Sequence, residues 1–443
     1  MFSYNREALS SRRPCLRVVA SALLLAAMIV AATSVVVKRA TARSTHVPFA
    51  SGCSSTGLSD PPTAGELSAQ LTRCWPRIDG HPLGTAPSRT TPTAPGTPTT
   101  TTAPGVSTSS PLGFARTAQP SARVRWLGSA TFTTGVNVPW YTWPYYAGHG
   151  DFGGGSTDGV VADRALIASG FARVQATGTH MVRWWTFEGG AWQINRAPDG
   201  TPTSLDPAIY ADFDTAVALA DQYDLFYDFV LFGAADDFPA TWRTNAAQRA
   251  ALGQVLAPLF ARYRDNPRVM SWEIFNEPEW QIWNKPEVTE ADTTAMASAI
   301  IASLRVAAPN TLVTVGSAVV GSYNGAQTTG INMWKHVDLD FYSPHWYDQQ
   351  VNPTSVCALC TDAPSLQALY GTTKPIVIGE YEEGAGANQQ IDLARIGQWY
   401  AKGFAGAWGW SLFPSQTGDG FTTDFGALTA FNASKPDIGP RTP

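Results

Sequence analysis

Short apolar runs alternate with amphipathic segments from about residue 123 to residue 437 of the chain. The apolar runs have the length and composition of buried β-strands, at 132–138, 180–187, 225–232, 269–275, 311–317, 340–344, 375–379 and 406–413. The segments between them have helical periodicity, at 160–176, 207–223, 244–264, 289–307, 331–336, 362–370 and 389–402. Strands that alternate with helices predict βα units and a parallel sheet.

The number of βα units decides between two parallel architectures. Eight predicted strands with intervening helices favour a (β/α)8 TIM barrel over 123–437, followed by a short tail at 438–443. A doubly wound open sheet is the structural alternative. No Gly-x-Gly-x-x-Gly motif follows the first strand, so a dinucleotide site has little support and we expect no cofactor.

The N-terminus predicts export from the cytoplasm. Residues 18–37 are uncharged and mostly apolar, and Arg6, Arg12, Arg13 and Arg17 precede them, as in an export signal. The run is also long enough to span a bilayer. Residues 1–42 are therefore interpreted as a cleaved signal or an uncleaved membrane anchor, and in both cases the remaining chain is secreted or extracytoplasmic.

Two segments separate this region from the predicted barrel. Residues 43–83 contain Cys53 and Cys74 but are too few for an independent core, and residues 84–122 are rich in Pro, Thr and Ser. Such a composition predicts a disordered linker. In an oxidising compartment Cys53 with Cys74, and Cys357 with Cys360, are plausible disulfides. For the second pair we favour a loop disulfide over a redox pair or a zinc site, which would need further ligands.

Charge and aromatic content limit the partners. The chain has 30 Lys and Arg against 35 Asp and Glu, a formal net charge of −5, so no cationic face is expected for nucleic acid. The 16 Trp suggest flat, neutral and polar ligands. The six His form no His-Glu-x-x-His or comparable pair, so no metal site is predicted.

Two acidic residues occupy the ends of predicted strands. The fourth strand runs into Asn-Glu-Pro, which puts Glu277 at a C-terminal strand end, and the seventh runs into Glu380. In a barrel these ends face one cleft, and two carboxyl groups there are what glycosidic bond cleavage requires. Glu382 and Glu383 compete with Glu380 for its role; alternation gives Glu382 the same face, but farther out.

Four motifs carry a resemblance to a known family. Besides Asn276-Glu277-Pro278, these are 182–190 (VRWWTFEGG), 343–347 (SPHWY) and 409–411 (GWS). The domain resembles clan-A retaining glycoside hydrolases of family 5, the cellulase and mannanase group, over nearly all of 123–437. One departure is that the third strand runs into Gly-Ala-Ala-Asp-Asp, where the family often has His or Asn; Asp236 and Asp237 are interpreted as solvated loop residues rather than sugar ligands.

The resemblance implies a role for each matching residue. Glu277 would be the acid/base and Glu380 the nucleophile. Other residues would assist them: Asn276 at the sugar 2-hydroxyl, Arg183 and Tyr347 holding Glu380 ionised, and His345 and Trp410 lining the cleft.

Aromatic residues that accompany or follow the predicted strands, among them Trp185 in the second strand and Trp280 after Glu277, suit the C–H faces of pyranose rings. We therefore expect a monomeric endo-β-1,4-mannanase acting on a β-linked polysaccharide or oligosaccharide, without nucleic-acid partners and with a possible membrane tether through 18–37. Another β-glycanase or an exo-β-glycosidase of the cellulase type is the alternative. A non-catalytic envelope sugar-binding protein is a further alternative, although it would need neither carboxylate.

Overall fold

The computed structural model describes residues 116, 118–140, 151–154, 159–188, 191–233, 238–285, 287–321, 329–347, 356–384, 389–413 and 421–441. All of them belong to the compact unit Val106–Pro443. The predicted signal or anchor, the Cys53 and Cys74 pair, and Asp236 and Asp237 lie outside the described residues. No helix within the described part of the chain is long and apolar enough to cross a membrane.

A parallel barrel forms the centre of the domain. The strands are β1 (Val124–Trp126), β2 (Ser129–Val138), β3 (Met181–Phe187), β4 (Ile194–Arg196), β5 (Pro202–Leu205), β6 (Phe226–Phe232), β7 (Val269–Phe275), β8 (Leu312–Thr314), β9 (Gly316–Ser317), β10 (Ser343–Trp346), β11 (Val377–Glu382), β12 (Gly406–Trp410) and β13 (Ile438–Gly439). The ladder runs β8-β7-β6-β3-β2-β12-β11-β10-β9. Because β8 and β9 are halves of one strand interrupted at Val315, the sheet returns to its starting point. The predicted barrel is confirmed as a nearly closed one.

Helices follow most barrel strands. Their bounds are Arg164–Ala176, Ala208–Tyr223, Thr241–Thr244, Ala246–Tyr263, Glu279–Asn284, Glu290–Ala307, Ile331–Trp334, Ala363–Tyr370, Gln389–Ala401 and Phe425–Ala433. Several begin at a side chain that accepts a hydrogen bond from the first-turn backbone, namely Asn245, Thr289, Asp362 and Asp424. The predicted helices are present with small shifts at their ends. The helices Thr241–Thr244, Glu279–Asn284 and Phe425–Ala433 were not predicted.

Several strand boundaries were predicted wrongly; the first strand begins at Ser129 rather than 132, the eighth ends at Trp410 rather than 413, and the sixth and seventh extend farther than expected. The sixth strand was expected to end at Pro344. It continues to Trp346, since His345 and Trp346 pair with Glu380 and Tyr381 of β11. The seventh strand was expected to end at Gly379 but extends to Glu382. Glu380 therefore lies within a strand rather than after it.

An apolar cluster closes the N-terminal end of the barrel. The cluster contains Trp126 and Leu127, which precede β2, and Trp408 of β12. Its other members lie mostly at the starts of the barrel strands: Val124, Met181, Phe226, Met270, Leu312, Phe341, Val377 and Ala405. The indole of Trp126 donates to the carbonyl of Pro267 at 2.9 Å. A separate and larger apolar cluster includes side chains from both barrel strands and surrounding helices.

The chain enters the domain at this closed end. Arg116 donates to Asp340 at 2.7 Å and to Asp338 at 2.8 Å. The backbone N–H of Arg125 donates to the side-chain oxygen of Gln119 at 2.6 Å. Residues that composition assigns to the linker therefore contact the barrel.

A disulfide joins Cys357 to Cys360 just before the helix Ala363–Tyr370. The predicted local disulfide is confirmed.

Candidate active site

The two predicted carboxylates meet at the C-terminal mouth of the barrel. Glu277 follows β7 by two residues, and its backbone N–H donates to the carbonyl of Gly316 at 3.0 Å. Its φ of 44° is in the left-handed region, which is uncommon for a residue with a side chain and is concentrated at functional sites. Glu380 is in β11, directly beside His345 of β10.

The separation of the two carboxylates is short. Glu277, His345 and Glu380 each offer one side-chain N or O atom, and these atoms lie within 4.8 Å of one another. Carboxyl groups about 5–5.5 Å apart are typical of retaining glycosidases, whereas inverting enzymes need about 6.5–9.5 Å. The geometry is therefore that of a retaining pair.

Arg183 connects the pair to the barrel interior. Its Nη1 donates to Glu380 at 2.6 Å and to Asn137 at 2.8 Å, and its Nη2 donates to Asn276 at 2.7 Å. The remaining guanidinium donors bind Glu273. Arg183 is completely buried, so all of its charge is balanced by these partners.

Glu380 accepts a second hydrogen bond from Tyr347, whose hydroxyl donates at 2.8 Å. Burial, followed by the neighbouring Glu380, raises the pKa of Tyr347 well above its ordinary value, so the hydroxyl keeps its proton. The family resemblance implied that Arg183 and Tyr347 hold Glu380, and the structure brings all three together.

His345 contacts the other carboxylate. Its Nδ1 lies 2.7 Å from Glu277 Oε1 and 3.4 Å from Glu380 Oε2. Burial lowers the pKa of His345 to about 4, so the ring is neutral near pH 7. The Nδ1–H tautomer of a neutral imidazole keeps this bond in either state of Glu277, because Oε1 accepts from Nδ1–H in the carboxylate and also in the acid whose proton is on Oε2.

The electrostatics of the two carboxylates differ. Burial raises the pKa of Glu277, opposed by a hydrogen bond from Trp280 and by the charge of Arg183. Burial also raises the pKa of Glu380, opposed by His345, Arg183 and the hydroxyl of Tyr347. Of these two carboxylates, Glu380 bonds the Arg183 guanidinium and Glu277 does not. A single proton shared by the pair therefore resides on Glu277.

Two other predicted residues contact this centre. The side-chain oxygen of Asn276 accepts from Arg183, which leaves its amide N–H groups to donate elsewhere. Trp280 is 46% exposed, and its indole N–H donates to Glu277 Oε2 at 2.6 Å.

Two of the predicted cleft aromatics, Trp185 and Trp410, belong to one aromatic cluster with Trp140. Trp185 lies 5.5 Å from Trp410 and 5.3 Å from Trp140, measured between ring centroids. Tyr347 packs against this cluster, so the cluster adjoins the carboxylate pair. Trp185 and Trp410 are only 6% and 8% exposed and therefore present limited ring area to a ligand.

The competing acids point elsewhere. Glu382 binds Arg395 at 3.3 Å. Glu383 is buried, where it accepts from the Tyr381 hydroxyl and from the Asp424 backbone N–H. Neither belongs to the group formed by Glu277, His345 and Glu380.

Sequence reasoning missed the residues below the pair. Glu273 binds Arg183, and Asp228 is buried next to Glu273, where burial raises its pKa well above the ordinary value. Asn137 accepts from Arg183 and donates to the carbonyls of Gly379 and Trp408. A charged or amide side chain inside an otherwise apolar strand is the signal that could have identified them.

By distance, Glu277, His345 and Glu380 could also reach one metal ion. Their carboxylate oxygens already bind Arg183, Tyr347 and Trp280, or contact His345. The three side chains are thus already engaged in hydrogen bonds with one another and with the neighbouring N–H and O–H groups.

A parallel barrel with a close carboxylate pair and a buried arginine at its mouth defines the class of this protein as a barrel glycoside hydrolase. The family model described as cellulase, glycosyl hydrolase family 5, matches residues 149–413. The match covers more than half of the chain, and the protein belongs to glycosyl hydrolase family 5.

Known proteins agree with this fold. The chain is similar to the β-mannanase of the blue mussel Mytilus edulis (TM-score 0.57, 19% identity, 72% of this chain and 96% of that chain). It is also similar to the β-1,4-mannanase of the sea hare Aplysia kurodai (TM-score 0.55, 20% identity, 70% and 94%). A curated relative is mannan endo-1,4-β-mannosidase 3 of Oryza sativa subsp. japonica, 24% identical over 144 residues. That match spans 26% of this chain and only 30% of the rice protein.

Proposed function

We propose that this protein is a retaining endo-β-1,4-mannanase. The observation that carries the reaction type is the close approach of Glu277 and Glu380, of which only Glu380 accepts hydrogen bonds from Arg183 and Tyr347. The similarity to proteins named as mannanases supports the choice of mannan. A cellulase-type β-glucanase is the second candidate, because the matching family model is named for cellulases.

Each carboxylate has a task that its surroundings suit. In the first step Glu380 attacks the anomeric carbon, the glycosidic C–O bond breaks, and Glu277 gives its proton to the leaving oxygen. In the second step Glu277 takes a proton from water, whose oxygen attacks the same carbon and releases Glu380. His345 can remain hydrogen-bonded to Glu277 throughout, since a neutral ring bonds both of its states.

The remaining site residues bind the sugar. The amide N–H groups of Asn276 are oriented by Arg183 and donate to the 2-hydroxyl. Trp185 and Trp410 provide an apolar edge for the sugar ring that Glu380 attacks. The exposed indole of Trp280 contacts the sugar on the leaving side, whose oxygen receives the proton from Glu277.

The location of the enzyme is a further part of the proposal. The apolar run 18–37 with its preceding arginines supports export, followed by release or by membrane attachment. Fractionation of the producing cells and N-terminal sequencing of the mature chain separate these two outcomes.

A reducing-sugar screen on mannan, glucomannan, β-glucan and xylan tests the substrate. We expect mannan and glucomannan to be cleaved, with a rapid fall in viscosity because the cuts are internal. Cleavage of β-glucan alone would favour the second candidate, and cleavage of none of the four would reject a polysaccharide hydrolase.

Azide rescue tests the two roles. Glu380→Ala should lose turnover by a factor of about 10⁴ or more. Azide should then restore it on an activated aryl glycoside and give a product of inverted configuration. For Glu277→Ala, azide instead attacks the glycosyl enzyme, so the product keeps the starting configuration. Glu382→Ala is the matched control and should stay within a few-fold of the wild type; near wild-type turnover in Glu380→Ala would contradict the assignment.

A further inference from the structure

Trp280 holds one oxygen of the proposed acid/base. It is the second residue of the helix Glu279–Asn284, less than one helical turn after Glu277. Its Nε1 donates to Glu277 Oε2 at 2.6 Å, while Oε1 contacts His345 Nδ1 at 2.7 Å. Both oxygens of Glu277 are therefore engaged before substrate binds.

This bond affects the two steps of the reaction in opposite ways. An N–H donor stabilises a carboxylate more than a carboxylic acid. It therefore opposes the protonated Glu277 that the first step needs, and it supports the ionised Glu277 that acts as base in the second step. A permanent bond would hinder half of the cycle.

The indole of Trp280 has room to move away from Glu277. Trp280 is 46% exposed, in contrast to Trp185 and Trp410, which are largely buried in the aromatic cluster. Its ring contacts Trp283 edge to face, at 5.0 Å between centroids. Trp280 belongs to none of the buried apolar clusters, so rotation of its side chain breaks the hydrogen bond to Glu277 and leaves those clusters in place.

We propose that Trp280 is a positioning residue whose indole N–H holds Glu277 as a carboxylate in the free enzyme and is displaced by the sugar on the leaving side. After displacement, Glu277 takes up a proton from solvent, and this proton passes to the glycosidic oxygen as the C–O bond breaks. When that sugar departs, the indole returns and stabilises Glu277 as the base that takes a proton from water. The inference rests on the proposed acid/base role of Glu277.

Several charged or titratable groups surround Glu277, and the test must leave them in place. They are His345 and Tyr347 from β10 and the residue after it, Arg183 from β3, Glu380 from β11 and Glu279 from the adjacent helix. Substituting Phe at position 280 removes the N–H donor and keeps an aromatic ring, although a smaller one. Trp283→Phe is the matched control, because the Trp283 indole N–H has no hydrogen-bond partner among the described residues.

Two measurements on the full chain test the inference. In the pH profile of kcat/KM on a mannan oligosaccharide, Trp280→Phe should move the basic limb upward by about half a pH unit, since the protonated acid persists to higher pH. Trp283→Phe should leave that limb in place. In ¹⁵N–¹H spectra of the indoles, the signal absent from Trp280→Phe should shift with pH in the wild type and lose that shift in Glu277→Gln.

The outcomes separate this inference from the proposed function. An indole signal that ignores the Glu277→Gln substitution, or a basic limb that moves equally in both Trp variants, would overturn the role of Trp280. If the wild type cleaves no polysaccharide, the proposed function fails, whereas the indole titration still decides whether Trp280 controls the charge of Glu277.

Discussion

The two ends of the barrel use the same strands for different purposes. At the N-terminal end the inward side chains form the apolar cluster around Trp408, covered by Trp126. A few residues farther along, the inward positions carry Arg183, Glu273 and Glu380, all buried and joined by hydrogen bonds. The difference shows that stability and chemistry are separated along the strand direction, as expected for enzymes of this architecture.

Arg183→Met should have the largest effect, because it removes the cation that both buried carboxylates need. Unpairing Glu273 and Glu380 should lower the free energy of unfolding by about 3–5 kcal/mol near pH 7. Turnover should fall by about 10³-fold or more, since Glu380 loses the donor that keeps it ionised. Denaturant unfolding and kcat measure the two effects.

A surface ion pair provides the control for this prediction. Arg262 binds Asp214, and their side chains are 48% and 46% exposed. Arg262→Met should therefore cost no more than about 1 kcal/mol and leave kcat unchanged. Equal losses in the two arginine variants would contradict the distinction between the buried network and the surface.

Trp408→Ala should affect the other end of the barrel and only its stability. The side chain is completely buried, and its indole donates to the Thr133 hydroxyl at 3.1 Å. Its removal should lower the free energy of unfolding by about 3–5 kcal/mol. The kcat per folded molecule should stay at the wild-type value, because the carboxylate pair is held by other residues. Val306→Ala, at a residue 85% exposed, should change stability by about 0.5 kcal/mol or less.

Glu383→Gln should give the smallest effect, visible in the pH dependence of stability. Burial raises the pKa of Glu383 from its ordinary 4.5 to about 8. A carboxyl group whose pKa is raised on folding stabilises the protein fully below pH 4.5, and this contribution is lost as pH rises through about 8. Stability should therefore fall over that range, and Glu383→Gln should flatten the decline.

Glu279 contributes a similar slope at slightly lower pH, since burial raises its pKa to about 7. The variant Glu383→Gln should thus reduce the slope between pH 4.5 and about 7 and abolish it between about 7 and about 8. Glu382→Gln should retain the full wild-type slope. Unfolding free energies measured from pH 5 to pH 8 would contradict the prediction if Glu383→Gln and Glu382→Gln gave the same curve.

The sequence predicted the barrel and much of the carboxylate site for identifiable reasons. Each barrel strand is a short apolar run, and Glu277 precedes a proline that stops such a run. Alternation along the seventh strand did not reveal the surroundings of Glu383, because the outer face of a barrel strand is covered by helices rather than by water. The contact of Trp280 was hidden for another reason, since it depends on the short helix Glu279–Asn284, which was not predicted.

The networks under the active site were harder to predict. Asp228 and Glu273 stand in strands that are otherwise apolar, and an apolar run indicates burial but not which polar groups meet. Their partners come from strands far apart in sequence, so only the register of the sheet brings them to Arg183.

The anchoring of Arg116 on Asp338 and Asp340 has a consequence for access. The polypeptide that precedes the barrel arrives at the floor of the domain, at the far end from the two carboxylates. Residues 116 and 118–126 consequently do not cross the entrance of the cleft, which suits an enzyme whose proposed substrate is a long polysaccharide chain.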